Sequence, residues 1–207
     1  RYEQAMANKF KYRELDPEKI KPVELTPVLE DVSKEYGIPD KLLAAMMYVE
    51  SGGTHRDGGH SIDAGYGVMN LRENNMVDTL AEAASLIGKT KEDLLYNQAD
   101  NVRGAGALLK NYYDDALASG LSESEAWYAA VSQYSGRPDP ELASHLADET
   151  AGMMMRGFET HLTDGGGDVV VPPTANPPFL PKNWEVTGMN PPSESGGAQV
   201  IPGTTPP

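Results

Sequence analysis

One apolar helix with a single acid at its end constrains this chain more than any other feature. It is encoded by "PDKLLAAMMYVESGG", residues 39–53. Its residues at helical spacings of three and four are Leu43, Met46, Met47 and Glu50. They share one face of the helix, and that face is otherwise an apolar stripe that has to pack in a core. A packed helical domain is therefore the first expectation.

Start and stop signals along the chain predict further helices. Thr90 with Asp93, and Ser122 with Glu125, form capping-box pairs, and Gly37 stands where a helix stops. The predicted helices cover about 26–36, 39–50, 76–88, 91–97, 100–119, 123–134 and 140–162. No long stretch alternates between apolar and polar residues, which is the pattern of a half-buried strand. The sequence predicts an all-α domain with a long glycine-rich loop at 52–67.

The composition of the chain changes near Asp164. Residues 165–207 are rich in proline and glycine, which disfavours helix and favours an extended linker or arm. We expect an N-terminal extension at 1–22, a folded domain at 23–164 and a Pro/Gly-rich arm at 165–207. Within the arm, "DVVV" and "FLPKNWEV" are patches that can dock as strands. A further domain is expected after the arm, with a disordered tail as the alternative.

Charge and composition exclude several classes of protein. The formal net charge is -14, which argues against binding to nucleic-acid phosphates or to an anionic lipid surface. No run approaches the roughly 18 uninterrupted apolar residues of a membrane helix. The absence of cysteine excludes disulfides, thiol chemistry and zinc ribbons. The chain begins at Arg1 without a charged and then apolar leader, so we expect that a leader has been removed.

Glu50 stands out because it lies on the apolar face of its helix. Burial disfavours the charged form of a carboxyl group, and the unpaired carbonyls at the end of the helix add to this effect. The sequence therefore predicts an acid that can hold a proton near neutral pH and give it to a leaving oxygen. In the alternative interpretation, Glu50 turns into solvent or pairs with Arg56 or Arg72.

The loop after Glu50 has residue types that suit a sugar. Gly65 and Gly67 would let the backbone approach a ligand closely. Tyr66 and Met69 offer apolar surface, and Asn70 offers a bidentate amide. The same residue types are common in ordinary loops.

Four segments resemble the soluble lytic transglycosylase and goose-type lysozyme superfamily, and they occur in the same order. "YGIPDKLLAAMMYVESGG" resembles the helix that ends in the catalytic Glu-Ser pair. "AGYGVMNL" is similar to the Gly-Leu-Met-Gln-Leu segment, with Asn70 in place of glutamine. "DNVRGAGALLKNYY" resembles the Asn-Ile-x-x-Gly-x-x-Tyr-Leu helix, and "WYAAVSQYSG" resembles the Ala-Ala-Tyr-Asn-x-Gly segment. The resemblance covers about residues 23–162.

This resemblance implies a lysozyme-like helical domain that is secreted and cleaves bacterial peptidoglycan between N-acetylmuramic acid and N-acetylglucosamine. Glu50 would protonate the leaving oxygen and then act as a base, without a cofactor or a metal. The residues placed along the glycan groove are Ser51, Tyr66, Met69, Asn70 and Tyr134, with Asn101 and Val102 as supporting positions. A glycosidase with two carboxylates needs a second acid, for which Asp57 and Asp63 are the candidates. Solvated loop aspartates are the alternative interpretation of both.

Two other functions remain open at this point. The segments "YGVMNL" and "YSG" look like the lysozyme-like domain that precedes an amidase domain in some bacterial N-acetylmuramoyl-L-alanine amidases. A non-catalytic peptidoglycan-binding module of such an amidase is the main alternative. A zinc enzyme that uses His55 and His60 is disfavoured, because the spacing of "HRDGGHSID" matches no zinc motif.

Overall fold

A computed structural model describes residues 11–191 of the chain. The described part is mainly helical, and its seven α-helices are α1 (Leu25–Tyr36), α2 (Leu42–Ser51), α3 (Thr79–Leu86), α4 (Lys91–Tyr96), α5 (Gln98–Ala118), α6 (Glu123–Tyr134) and α7 (Pro140–Arg156). Its four strands are β1 (Gly65–Tyr66), β2 (Leu71–Arg72), β3 (Phe158–Leu162) and β4 (Gly167–Val171). Residues 1–10 of the predicted extension and 192–207 of the predicted arm lie outside the described residues.

The structure confirms both predicted capping boxes and the predicted helix stop at Gly37. Thr90 and Asp93 form a capping box at the start of α4, and Ser122 and Glu125 form one at the start of α6. Gly37 ends α1 in the left-handed conformation, with φ 63°. These contacts are local in the sequence, so the pattern of residues was sufficient to predict them.

The prediction of an all-α domain is only partly right, because two small antiparallel sheets accompany the helices. β1 pairs with β2, and β3 pairs with β4 in a register that joins Phe158 to Val171 and Leu162 to Gly167. The last predicted helix, 140–162, ends early at Arg156. Gly157 has φ 72° and ψ 162°, which no helix allows, and a Cβ there would lie 2.6 Å from the backbone nitrogen of Pro173. The chain therefore leaves the helix and becomes a strand.

The boundary predicted after Asp164 has to be corrected, since it falls in the turn between β3 and β4. Val169, Val171 and Phe179 are 2–3 % exposed and belong to the main core. Further along, the backbone nitrogen of Lys182 donates to Oδ1 of Asp148 on α7 at 2.8 Å. Trp184 packs against Met155 and Met189. Residues 165–191 are therefore part of the folded body and are not a free arm.

The core is arranged around α5, which contacts α1, α3, α4 and α6, while α2 packs against α7. Two polar side chains of α5 hold the loop that contains β1 and β2. The amide of Asn101 donates to the carbonyls of Tyr66 and Leu94 and accepts from the Met69 nitrogen at 2.9 Å. Gln98 accepts from the Val68 nitrogen at 3.1 Å. This confirms Asn101 as a supporting residue.

Among the helices of residues 11–191, none has the length and apolarity to span a bilayer.

Two glycines of this loop are required by contacts inside the protein and do not make room for a ligand. A Cβ on Gly65 would lie 2.1 Å from Oδ1 of Asn70, and one on Gly67 would lie 2.3 Å from Nδ2 of Asn101. Gly67 also has φ 74°, in the left-handed region. The sequence predicted that these glycines let the backbone approach a sugar. In the structure they instead allow tight packing against two amide side chains.

Gly67→Ala is expected to destabilise the fold more than Gly88→Ala does. Both glycines have positive φ, 74° and 65°, so each alanine costs about 1–2 kcal/mol of backbone strain. Only position 67 adds a collision, which costs about 1–3 kcal/mol further. Urea unfolding of the two variants measures the difference. Equal free energies of unfolding would contradict the role assigned to Asn101.

Candidate functional site

Glu50 lies in the last turn of α2, and its side chain is only 8 % exposed. Two donors hold the same carboxylate oxygen. Arg72 Nη2 lies 2.8 Å from Oε2, and Asn70 Nδ2 donates to Oε2 at 3.0 Å. No residue among 11–191 donates a hydrogen bond to Oε1. One oxygen of Glu50 is thus fixed by the protein, and the other is left for a ligand or water.

Arg72 connects the two acids of the site. Its Nε donates to Asp63 at 2.7 Å, while its Nη2 faces Glu50, and the residue is only 4 % exposed. Burial alone would lower the pKa of Arg72, but the charges of Glu50 and Asp63 outweigh burial and raise it. The guanidinium is therefore a permanent positive charge between two buried carboxylates.

The contacts of Glu50 decide between the two interpretations of its surroundings that the sequence left open. The alternative interpretation, in which Glu50 pairs with an arginine, is the one that the structure shows, with Arg72 as the partner. Arg56 acts differently, because its Nη2 donates to the backbone carbonyl of Glu50 at 2.9 Å.

Arg56 also fixes the direction of the Asn70 amide. Its Nη1 donates to Oδ1 of Asn70 at 3.3 Å, which turns Nδ2 of Asn70 towards Glu50. Asn70 itself has φ 54°, a left-handed conformation that asparagine tolerates better than most residues. Burial lowers the pKa of Arg56, although the charges of Glu50 and Asp63 act in the opposite direction.

Asp63 lines the cleft, but both of its oxygens have partners. Oδ1 accepts from Ser61 Oγ, and Oδ2 accepts from Arg72. Burial would raise the pKa of Asp63, but the charge of Arg72 and the hydrogen bonds from Ser61 and Arg72 lower it. An acid held in this way anchors Arg72, so a role for Asp63 as a second catalytic acid is not favoured by its contacts.

An open cleft of about 280 Å³ lies in front of Glu50. The loop that contains β1 and β2 forms its base with Asp63, Asn70 and Arg72. Helix α7 forms the facing wall, with Leu142, His145, Leu146 and Glu149. At its mouth, Ile62 and Leu142 are 41 % and 44 % exposed, which gives the cleft apolar edges above a polar base.

Most of the predicted groove residues are internal supports and do not line this cleft. Ser51 Oγ donates to the Val68 carbonyl at 2.6 Å, and Tyr134 OH donates to the Met69 carbonyl at 2.6 Å. Tyr66 accepts from the Arg13 backbone nitrogen at 2.8 Å. Tyr66, Met69 and Tyr134 are at most 1 % exposed. Of the five predicted residues, only Asn70 lines the cleft.

Asp57, the other predicted second acid, is exposed and lies outside the cleft. It occupies a short turn, Arg56–Gly58, with φ 49°. The two histidines of the loop contact different residues. His55 faces Asp164 at 3.6 Å, and His60 stacks on Tyr12. Within residues 11–191, no group of three or more potential ligands is arranged to hold a metal ion.

Glu149 is a cleft residue that the sequence analysis did not select. It lies on α7 with Leu142, His145 and Leu146, at spacings of three and four. Helical spacing places these four side chains on one face of α7, but two of them are titratable, so the pattern does not single out Glu149 as the apolar face of α2 singles out Glu50.

Comparisons with known proteins identify no relative that carries this arrangement. No protein-family model matches the chain, and no curated protein or solved structure matches it. The function therefore has to be inferred from the cleft and its residues.

Arg72→Met is expected to destabilise the protein by about 3–5 kcal/mol, because it leaves Glu50 and Asp63 buried without their cation. Arg103→Met is the matched control. Arg103 pairs with Glu35 at 3.3 Å, but both side chains are more than 40 % exposed, so its loss costs at most about 1 kcal/mol. Urea unfolding at pH 7 measures both. A similar small effect of the two substitutions would show that Arg72 does not organise the site.

Proposed function

We propose that this domain cleaves the glycan strands of bacterial peptidoglycan at the bond between N-acetylmuramic acid and N-acetylglucosamine, with Glu50 as the central carboxyl group. The observation that carries the proposal is the position of Glu50, at the base of an open cleft with Oε2 held by Arg72 and Asn70 and Oε1 free of donors among residues 11–191. Glycoside cleavage needs a fixed carboxylate beside the anomeric carbon, where positive charge develops.

The shape and charge of the cleft support a sugar ligand. Its volume of about 280 Å³ is near the lower end of the range for small-ligand sites. The exposed Arg137, which lines the cleft, provides hydrogen-bond donors, and the exposed Ile62 and Leu142 provide apolar contacts for a sugar ring. The net charge of -14 does not oppose a largely neutral glycan. The proposal places the protein outside the cell or in the cell wall and needs no cofactor.

A second candidate is a peptidoglycan-binding module without catalysis, which would position an amidase domain that follows it. The contacts of Glu50 favour this candidate, because Arg72 and Asn70 already occupy its Oε2 and tie the side chain to the fold. Such a module would bind insoluble peptidoglycan and release no fragments from it.

Glu50→Gln is expected to lower the rate of muropeptide release from purified cell walls about 100-fold or more, as for the loss of a general acid or base. Glutamine keeps an oxygen that can accept from Arg72, so the variant is expected to fold. Asp57→Asn is the control, since Asp57 is exposed and outside the cleft. Release of soluble fragments, measured by chromatography, compares the three proteins.

Each result has a distinct meaning for the two candidates. Wild-type activity in Glu50→Gln would contradict the catalytic role of Glu50. Tight binding of the wild-type protein to cell walls without any release, unchanged in Glu50→Gln, would support the binding module instead.

A further inference from the structure

Glu149 is the second glutamate that faces the cleft, and its contacts differ from those of Glu50. It is half-buried on the inner side of α7. Within residues 11–191 it forms neither a hydrogen bond nor an ion pair, whereas Glu50 and Asp63 each contact Arg72. Its carboxyl group therefore has no contact that ties it to the fold, and it faces the cleft where a ligand would lie.

Charged and titratable groups from several elements surround Glu149. Arg72 is shared between Glu50 and Asp63, so the three side chains together carry one net negative charge towards α7. On α7 itself, His145 and Asp148 lie next to Glu149, and Arg137 reaches the cleft from the loop after α6.

Burial and the neighbouring charges together raise the pKa of Glu149. Burial is the largest cause and raises the pKa of Glu149, and the charges of Glu50 and Asp148 act in the same direction. His145 and Arg137 oppose them without reversing the direction. The cleft thus contains one glutamate tied to Arg72 and Asn70 and a second glutamate without a partner among residues 11–191, whose pKa is raised. Two carboxyl groups in different environments are the usual arrangement for acid and base in glycoside cleavage.

We infer that Glu149 is the proton donor of this cleft and that Glu50, held in place by Arg72 and Asn70, is the second carboxyl group of the reaction. The inference rests on the proposed glycosidase function and changes its mechanism, because the resemblance implies that Glu50 alone acts as acid and then as base.

The reaction can be written with all protons accounted for. Glu149 gives its proton to the glycosidic oxygen as the bond between that oxygen and the anomeric carbon breaks, with the electron pair remaining on oxygen. The ionised Glu50 faces the positive charge at the anomeric carbon. Its Oε1 takes the proton of the attacking hydroxyl, whose oxygen bonds to that carbon. Glu149 ends as a carboxylate and Glu50 as an acid, and exchange with water restores both.

The test compares Glu149→Gln with Glu141→Gln, a substitution at an exposed acid two turns earlier on α7. With cell walls as substrate, Glu149→Gln is expected to reduce the rate about 100-fold or more, and Glu141→Gln is expected to leave it unchanged. Wild-type activity should fall as the pH rises through the pKa of Glu149, because only the protonated form donates. That alkaline decline should disappear in Glu149→Gln.

A substrate that needs no proton on its leaving group separates an acid from a structural residue. On a glycan oligomer with N-acetylmuramic acid at its reducing end, joined to a nitrophenyl group, Glu149→Gln should recover to within about 10-fold of the wild-type rate, while Glu50→Gln should not. A thermal melt of each variant shows that it is folded.

Three outcomes would overturn the inference. An active wild type with an unchanged rate in Glu149→Gln, or with the alkaline decline still present in that variant, would assign the proton to another group such as His145 and leave the proposed function intact. A loss of rate on both substrates alike would make Glu149 a structural residue. A wild type that cleaves neither substrate would overturn the proposed function and this inference together.

Discussion

The buried guanidinium of Arg72 is the interaction on which this site depends. It lies 2.8 Å from Glu50 at the end of α2 and 2.7 Å from Asp63 in the glycine-rich loop. It also extends towards the carbonyl of Tyr134 at the end of α6. Three separate parts of the chain therefore meet at one cation. Buried ion pairs add little net stability, but the loss of one partner is costly, so such a pair specifies a position strongly.

The same pair limits the chemistry that Glu50 can perform. Under the proposed function, Arg72 and Asn70 hold Glu50 in place to face positive charge on a sugar. The inferred proton donor is Glu149, which lines the same cleft from α7 and has no hydrogen bond or ion pair among residues 11–191. Without a donor, the arrangement would fit a module that binds glycan and does not cleave it. The ion pair thus connects the fold, the mechanism and the alternative function.

Features that depend on residues close together in the sequence could be predicted, and features that depend on residues far apart in the sequence could not. The capping boxes at Thr90 and Ser122 are local, and both were predicted correctly. The strand β3 was missed, because its residues were assigned to the preceding helix, whereas the patch "DVVV" was expected to be able to dock as a strand and does so in β4. Gly65 and Gly67 were recognised as important, but the sequence did not show why glycine is needed there. The need comes from the side chains of Asn70 and Asn101, which pack against them. The choice between Arg56 and Arg72 as the partner of Glu50, and the approach of Glu149 from α7, depend on the tertiary fold.

The central claim is that the cleft in front of Glu50 acts on the glycan strand, and mass spectrometry of purified strands after incubation with the protein tests it most directly. New ends between N-acetylmuramic acid and N-acetylglucosamine are the predicted result. Reducing ends would show that water attacks, and anhydro ends would show that a hydroxyl of the sugar attacks. Strands that remain intact, at protein concentrations at which the domain is bound to them, would contradict the claim.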